Sequence, residues 1–373
     1  MTTEKLGLWD SFTNLFRRSK AAASQETEAV RNWRVFGASV RGASHDQSGL
    51  PNQDAIGWWP EAAEGPPIIL AVADGHGSPK CFRSQVGSQL AVDTAVAVLR
   101  EFVEGQPDPF DPTLCKRAAE ERLPEVIDHQ WKQAVKSHLD EHPLLVDEVR
   151  KLEEKEGPAA RKTVEDKPAL AYGCTLLAVL VEATYVLCLQ IGDGDICVVS
   201  PGAEAVRPIA EDPRHFAGET TSLSSNRAAR DVQVRFQQLA GAPPALILAA
   251  TDGYGNAFPS SQDLLDTARE FVEALRDDGL ETVNGYLPEL LTDASHKGSG
   301  DDVTVGMLFR GDAPAEEWPD WRSEQEEQKK AETEPEPATD NSATNEPTTP
   351  ETFDQLLDCL QSPDEEDDSG TGV

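Results

Sequence analysis

The chain has 373 residues and a formal net charge of −34, with 38% hydrophobic residues. Between Asp312 and Val373 there are twenty Asp or Glu against three Lys or Arg, so about half of the excess charge falls in the last sixth of the chain. This balance excludes nucleic acid as the main partner, because phosphate backbones are bound by clustered cations.

Residues 1–32 are predicted to form an extension outside the main domain. Leu8, Phe12, Leu15 and Phe16 recur at helical spacing and are followed by three cations, a pattern typical of a short amphipathic helix. Such a helix packs on its own domain or docks on a partner or a membrane surface.

Composition predicts a soluble cytoplasmic protein. The N-terminus lacks the apolar region of a secretory signal, and no window approaches the roughly 18 apolar residues of a transmembrane segment. The six cysteines form no CxxC pair, which favours buried free thiols in a reducing compartment over a zinc site or a disulfide framework.

The core is predicted to begin at Trp33 with an alternating strand, WRVFGASVRGASH, and to continue through a polar loop into a second strand, QDAIGWW. The next run, IILAVA, reads as a strand buried on both faces and ends in DGHG. Helical spacing follows over Cys81–Val103 and within Thr113–Glu156, and the polar stretch Gly157–Asp166 is predicted to be an exposed loop.

Three short β-branched runs follow, TLLAVLV, YVLCLQI and DICVVS, joined by EAT and GDG. Connections this tight predict antiparallel hairpins rather than βαβ units. A polar flap over Pro208–Arg230 precedes two more strands, helices over Gln262–Arg276 and Thr282–Ser295, and a closing strand, VTVGMLF. Residues 33–311 are therefore predicted to form an α+β domain with a central antiparallel β-sandwich flanked by helices on both sides.

Residues 312–373 are predicted to be an acidic, disordered tail, since Pro, Glu, Thr, Ser and Asn dominate through Pro350. One segment of the tail differs from the rest in its apolar residues. Thr349-Pro350 suits a helix start, and Phe353, Leu356, Leu357 and Leu360 recur at helical spacing, so a short helix is predicted at 350–361. It either docks in a groove on a partner or on the domain, or belongs to an inert tail.

An acid at the end of an apolar run is the recurring chemical feature. It appears at Asp54, Asp74, Asp193, Asp252 and Asp301. A single Asp-Gly after a strand is usually only a turn, but five such strand ends indicate one convergent carboxylate cluster. Carboxylates with a few carbonyl and water ligands are the donors that Mg²⁺ and Mn²⁺ prefer.

The ordered series NQDA, AVADGHG, GCTLLAVLV, LQIGDGD, LAATDGYG and GDDVTVGML resembles the metal-dependent protein phosphatases of the type 2C family, particularly bacterial members, over about residues 33–311. The resemblance implies a β-sandwich flanked by helices that holds two Mg²⁺ or Mn²⁺ ions. It also implies hydrolysis of serine or threonine phosphoesters by a hydroxide bridging the two ions.

The same resemblance assigns roles to individual residues. Asp74 resembles the carboxylate that bridges both ions, and Gly75 the residue whose carbonyl joins one of them. Asp252 and Asp301 resemble the remaining direct ligands. Three further roles are implied: Asp54 would hold metal-bound water, His76 would protonate the leaving oxygen, and Asp193 would bind a third, weaker metal.

Two departures from the family pattern concern acids. Gln53-Asp54 stands where Glu-Asp is common, which removes a charge from the water network. Asp301-Asp302 stands where Asp-Asn is usual, so either acid of that pair is a candidate ligand. A third departure is an insertion at the position where the family has its phosphate-binding Arg. The candidates for binding phosphate in its place are Arg41 and His45, and Lys80 and Arg83 beyond the DGHG corner.

The resulting hypothesis is a cytoplasmic, Mg²⁺- or Mn²⁺-dependent serine/threonine phosphoprotein phosphatase whose partner is a phosphoprotein. The alternative is a catalytically weak member of the same fold that serves as a phosphoprotein-binding or scaffold module, which Gln53 and the acidic tail favour. A haloacid-dehalogenase-type phosphatase is disfavoured because the chain lacks DxDxT; GDGDIC has the acids at that spacing but no Thr.

Overall fold

The computed structural model of the chain describes residues 33–106, 109–202, 204–212, 214, 220–239 and 243–311. These residues belong to one compact unit, Met1–Trp321. The predicted N-terminal helix and the acidic tail with its predicted helix at 350–361 lie outside the described residues. None of the helices in the described part of the chain is long and apolar enough to cross a membrane.

Two antiparallel sheets form the centre of the domain. In chain order, their strands are β1 Trp33–Val40, β2 Ala55–Trp59, β3 Glu64–Gly65, β4 Ile68–Ala73, β5 Leu176–Val181, β6 Tyr185–Ile191, β7 Asp195–Val199, β8 Ala205–Val206, β9 Gln233–Gln238, β10 Leu246–Ala250 and β11 Val303–Arg310. One sheet has the order β3-β1-β11-β10-β7-β8 and the other β2-β4-β5-β6-β9.

Helices cover the outer faces of both sheets. They are α1 Ala43–Ser48, α2 Ser84–Glu104, α3 Pro112–Glu141, α4 Val146–Glu156, α5 Pro158–Asp166, α6 Ala228–Asp231, α7 Asp252–Gly255, α8 Ser261–Asp277 and α9 Leu280–Ala294. Local chemistry sets their starts. At α3, for example, the Asp111 carboxylate accepts hydrogen bonds from the Thr113 and Leu114 amides, and Pro112 occupies the first helical position.

Side-chain alternation on the strands produces the layers. On β4, Ile68, Leu70 and Val72 pack in the cluster between the two sheets, whereas Ile69 and the other alternate residues pack against α2 and α3. The outer face of the six-stranded sheet packs against α8 and α9. The predicted α+β architecture, with an antiparallel sandwich flanked by helices on both sides, is confirmed.

The five cysteines among the described residues are buried free thiols, as predicted: Cys81, Cys115, Cys174, Cys188 and Cys197. Small apolar thiols pack well in strands and helices that face a core. The chemistry of the domain is therefore assigned to its acids rather than to its cysteines.

Three local predictions were wrong. The first strand ends at Val40 rather than at His45, and Ala43–Ser48 form helix α1 where strand and loop were predicted. The GDG turn after β6 does not close a hairpin, because β6 belongs to the five-stranded sheet and β7 to the six-stranded one. The chain crosses between the sheets there, helped by Gly192, whose φ of +105° favours glycine. The polar stretch predicted as a loop is helix α5, which starts at Pro158 and buries Ala160 and Val164, one turn apart, on a single face.

Two glycines in helix interiors give a matched test of the packing. A Cβ at Gly87 of α2 would lie 1.9 Å from the Tyr172 carbonyl oxygen, whereas a Cβ at Gly285 of α9 would meet nothing within 4 Å. We expect Gly87→Ala to destabilise the protein by about 1–3 kcal/mol through overpacking. Gly285→Ala should stabilise it by roughly 0.5–1 kcal/mol. Chemical denaturation of both variants measures the difference, and equal effects would contradict the packing of α2.

Candidate active site

Strand register brings three of the predicted acids to one edge of the five-stranded sheet. Ala55 pairs with Ala73, so Asp54, just before β2, and Asp74, just after β4, lie at the same end. The Asp74 amide donates to Thr175 Oγ1 at 3.0 Å, and the Thr175 amide donates back to the Asp74 carbonyl at 2.8 Å. Leu176 pairs with Ile191, which puts Asp193 at this edge as well.

The six-stranded sheet brings the remaining acids to the matching edge. Ala250 of β10 pairs with Val305 of β11, so Asp252, just after β10, and Asp301, just before β11, lie at one end. Thr251 and Thr304 connect this edge to the other sheet, since each hydroxyl donates a 2.8 Å hydrogen bond to Asp54 Oδ2. Asp54 therefore joins the two sheets.

Asp74, Asp193 and Asp252 form the centre of the cluster, with carboxylate oxygens all within 4.8 Å of one another. Burial raises the pKa of Asp74 well above its usual value, and the negative charges of Asp54, Asp252, Asp301 and Asp193 raise it further. Acids this close repel one another when ionised. Their arrangement is unfavourable unless a proton or a cation is shared among them.

The ionised forms of the other buried acids are disfavoured in the same way. Burial raises the pKa of Asp54 to about 8, against the opposing effect of the two threonine hydrogen bonds. Burial and the charges of Asp193 and Asp301 raise the pKa of Asp252 to about 6. A donor set of carboxylates fits Mg²⁺ or Mn²⁺, which prefer oxygen ligands and retain water, better than it fits zinc.

The Asp301-Asp302 pair divides into two different environments. Asp301 is exposed, and its charge acts on both Asp74 and Asp252, as expected for a group facing the cluster. Asp302 is only 3% exposed, and its carboxylate accepts hydrogen bonds from the Gly42 amide, the Gln53 amide and His45 Nδ1. By distance, Asp301 groups with Asp302 and His45, each offering a ligand atom within 4.8 Å of the others, whereas Asp74, Asp193 and Asp252 form a separate group.

His76 and Gly75 lie at the corner that follows Asp74. Gly75 is buried, and a Cβ on it would lie 2.5 Å from the Gln53 carbonyl oxygen, so only glycine fits there. The His76 amide donates to the Gly173 carbonyl at 3.1 Å. Burial lowers the pKa of the His76 imidazole, and the charge of Asp193 opposes that shift. His76 therefore sits within electrostatic reach of the cluster.

The four cations predicted to bind phosphate lie in different settings. All five N–H donors of Arg83 are used: two on Glu148, one on Tyr172 and two on backbone carbonyls. Lys80 pairs with Glu156 at 3.0 Å. Arg83 thus ties α2 to the loop before α4 and has no N–H left for a substrate.

The other two candidates lie close together after β1. His45 is 8% exposed, and its Nδ1 lies 2.8 Å from Asp302 Oδ2. Arg41 Nη2 donates to the His45 carbonyl at 2.7 Å, and Arg41 Nε lies 3.3 Å from Asp46. The Arg41 side chain is 38% exposed, so its guanidinium remains accessible from solvent.

A cleft of about 470 Å³ opens beside Asp193 and Asp252. Its wall includes Ile209 and a buried ion pair in which Arg207 Nη2 lies 2.7 Å from Asp195. Burial raises the pKa of Asp195 to about 6, and Arg207 opposes the shift. Sequence reasoning missed this pair; the second acid of GDGD and an isolated Arg twelve residues later were its only signal.

A family model described as protein phosphatase 2C matches residues 41–292, a span that contains Asp54, Asp74, Asp193 and Asp252. No curated protein sequence matches the chain.

Several solved structures are similar. The catalytic domain of the serine threonine protein phosphatase PstP, in complex with 2 manganese ions, is 19% identical with a TM-score of 0.45, over 74% of this chain and 98% of that one. Stp1 from Staphylococcus aureus is 15% identical with a TM-score of 0.47, over 77% and 99% of the two chains. The S. agalactiae serine/threonine phosphatase is 17% identical with a TM-score of 0.43, over 74% and 99%.

The family match covers more than half of the chain and runs through four of the five strand ends that deliver the clustered acids. The chain belongs to the protein phosphatase 2C family.

Proposed function

We propose that this protein is a cytoplasmic, Mg²⁺- or Mn²⁺-dependent phosphatase that hydrolyses phosphoserine and phosphothreonine in proteins. The convergence of Asp74, Asp193 and Asp252 within 4.8 Å carries the proposal. Carboxylates this close repel one another, and bound cations would remove that repulsion. Family membership supports the reaction class. The buried free thiols favour a reducing compartment.

In this proposal the cluster holds two ions. Asp74, Asp252, Asp301 and the Gly75 carbonyl are the direct ligands, Asp54 orients water, and a third ion is assigned to Asp193. Two such cations lower the pKa of water to give a nucleophile near neutral pH and neutralise charge on the phosphoryl group. Asp54 is suited to its role because Thr251 and Thr304 fix one of its carboxylate oxygens.

His76 is assigned the transfer of a proton to the leaving serine or threonine oxygen. An alkoxide leaves poorly, so a proton donor at that atom lowers the barrier. Burial lowers the pKa of the imidazole, which makes the protonated ring a stronger acid at the moment of transfer. The nearby charge of Asp193 opposes that shift and helps to retain the proton until it is needed.

Arg41 is assigned to the phosphate of the substrate. Its guanidinium stays accessible, whereas Arg83 has no N–H donor left and His45 is buried against Asp302. The bonds from Arg41 to the His45 carbonyl and to Asp46 hold the side chain in place and leave further N–H donors for an anion. The substrate polypeptide is assigned to the cleft beside Asp193, whose volume of about 470 Å³ is typical of a ligand site.

Hydrolysis assays with metal-free protein test the proposal. We expect Mn²⁺ to switch on cleavage of p-nitrophenyl phosphate and of a phosphothreonine peptide, and a chelator to remove both activities. Binding of the phosphopeptide without turnover over a range of Mn²⁺ and Mg²⁺ concentrations would contradict the proposal. That outcome would favour the scaffold alternative, which the substitution of Gln53 for the usual Glu supports.

A further inference from the structure

The Asp302 carboxylate lies within 4.8 Å of ligand atoms of Asp301 and His45, and it is enclosed by hydrogen-bond donors. Its Oδ1 accepts from the Gly42 amide at 2.6 Å, and its Oδ2 accepts from the Gln53 amide at 2.6 Å and lies 2.8 Å from His45 Nδ1. Asp302 is 3% exposed and His45 8% exposed. Three donors on one buried carboxylate satisfy the charge without any ion.

The three donors come from two parts of the chain. Gly42 and His45 lie at the start of α1, and Gln53 immediately precedes Asp54. On its other side, the Asp302 amide donates to Asp301 Oδ1 at 2.9 Å. A single residue therefore connects the segment that carries Asp54 with the exposed carboxylate of Asp301.

The connection extends to the corner after β4. The Gln53 carbonyl accepts a hydrogen bond from Ser88 Oγ of α2, so the Gln53 backbone is fixed at both its N–H and its C=O. The same carbonyl lies against Gly75, since a Cβ there would be 2.5 Å away. The link that starts at Asp302 thus reaches both Asp54 and the residue next to Asp74.

We infer that Asp302 and His45 are positioning residues, which hold Asp54 and Asp301 in the arrangement that binds the metal ions. This inference rests on the proposed function, because it names the support of the same site. Groups that orient ligands from behind typically change metal affinity roughly 10–100-fold when they are removed. We expect losses of that size in His45→Leu and Asp302→Asn.

The chemistry of Asn explains the second expectation. An Asn side chain has one acceptor oxygen and one NH₂ group. Whichever way it is turned, its NH₂ group faces either the Gly42 amide or the Gln53 amide, so one backbone donor loses its acceptor. If the Gln53 amide loses its acceptor, the segment that carries Asp54 is released; if the Gly42 amide does, the attachment of Asp302 to the start of α1 is weakened instead.

The test compares four variants by calorimetric Mn²⁺ titration and by hydrogen exchange of the metal-free protein. His45→Leu and Asp302→Asn remove the link. His45→Asn keeps a donor near the position of Nδ1 and should restore most of the affinity. Leu275→Ala, in the core of α8 away from the cluster, matches the loss of stability without touching the link.

We expect His45→Leu and Asp302→Asn to bind Mn²⁺ roughly 10–100-fold more weakly than the wild type, and the Gly42 amide, the Gln53 amide or both to exchange faster in each variant. Leu275→Ala should retain wild-type affinity. Equal affinities in His45→Leu and Leu275→Ala would overturn the inference. If the wild type bound no Mn²⁺, the proposed function would fail, and unchanged exchange at Gly42 and Gln53 in His45→Leu would then overturn the link independently.

Discussion

Asp74→Asn is expected to abolish metal-dependent hydrolysis and, at neutral pH, to raise the thermal stability of the metal-free protein. The carboxyl group of Asp74 is buried among other acids, which raise its pKa well above the usual value. Keeping it in place costs stability unless a cation is bound, and a neutral amide of the same shape removes that cost. Activity should fall at least roughly 10³-fold, equivalent to several kcal/mol of transition-state stabilisation.

Asp140→Asn is the matched control. Asp140 is an exposed acid on α3 that pairs with Lys136 in the preceding turn, and its variant should keep both activity and melting temperature. The Asp74→Asn variant should also lose the increase in melting temperature that Mn²⁺ gives the wild type. A variant that melted lower than the wild type without metal and still responded to Mn²⁺ would show that Asp74 has a structural role only.

The stability of the metal-free protein is expected to fall as pH rises from about 5 to 8. Asp252 and Asp54 have pKa values raised from 3.8 to about 6 and about 8. Between the unfolded and folded pKa values, the folded state holds protons that the unfolded chain has released, so the free energy of unfolding decreases with pH. For Asp252 alone, the part of the shift that falls between pH 5 and 8 corresponds to about 1.5 kcal/mol, or a melting temperature lower by roughly 3–6 °C.

Mn²⁺ should reverse this dependence. A cation that replaces the shared protons binds more tightly as pH rises, because fewer protons have to be displaced. Calorimetric melting at several pH values, with and without Mn²⁺, measures both effects. The increase in melting temperature caused by Mn²⁺ should be larger at pH 8 than at pH 5. An increase that is constant with pH would mean that Mn²⁺ binds elsewhere than at these buried acids.

The convergence of the acids was predictable because each follows or precedes a recognisable strand. Asp54 and Asp74 flank strands that are neighbours in one antiparallel sheet, and Asp252 and Asp301 flank neighbours in the other. Strand ends in antiparallel pairs meet at a common edge, so periodicity and order were enough. The crossing at Gly192 was not predictable, since a three-residue GDG connection suits a hairpin as well as a change of sheet.

The surroundings of the acids depend on contacts between distant residues. From the sequence, His45 was predicted to be a cation available to bind phosphate. In the fold it pairs instead with Asp302, which lies more than 250 residues further along the chain. Asp302 in turn read as a second candidate ligand, and three donors from other segments enclose it instead. Pattern and spacing identify which residues carry charge, but not which charges are satisfied within the fold.

The most direct test of the metal site is anomalous diffraction from crystals grown with Mn²⁺. We expect two Mn²⁺ peaks beside Asp74, with Asp252 and Asp301 each within ligand distance of one of them. A crystal that binds Mn²⁺ only away from these three carboxylates, or shows none at millimolar concentration, would contradict it.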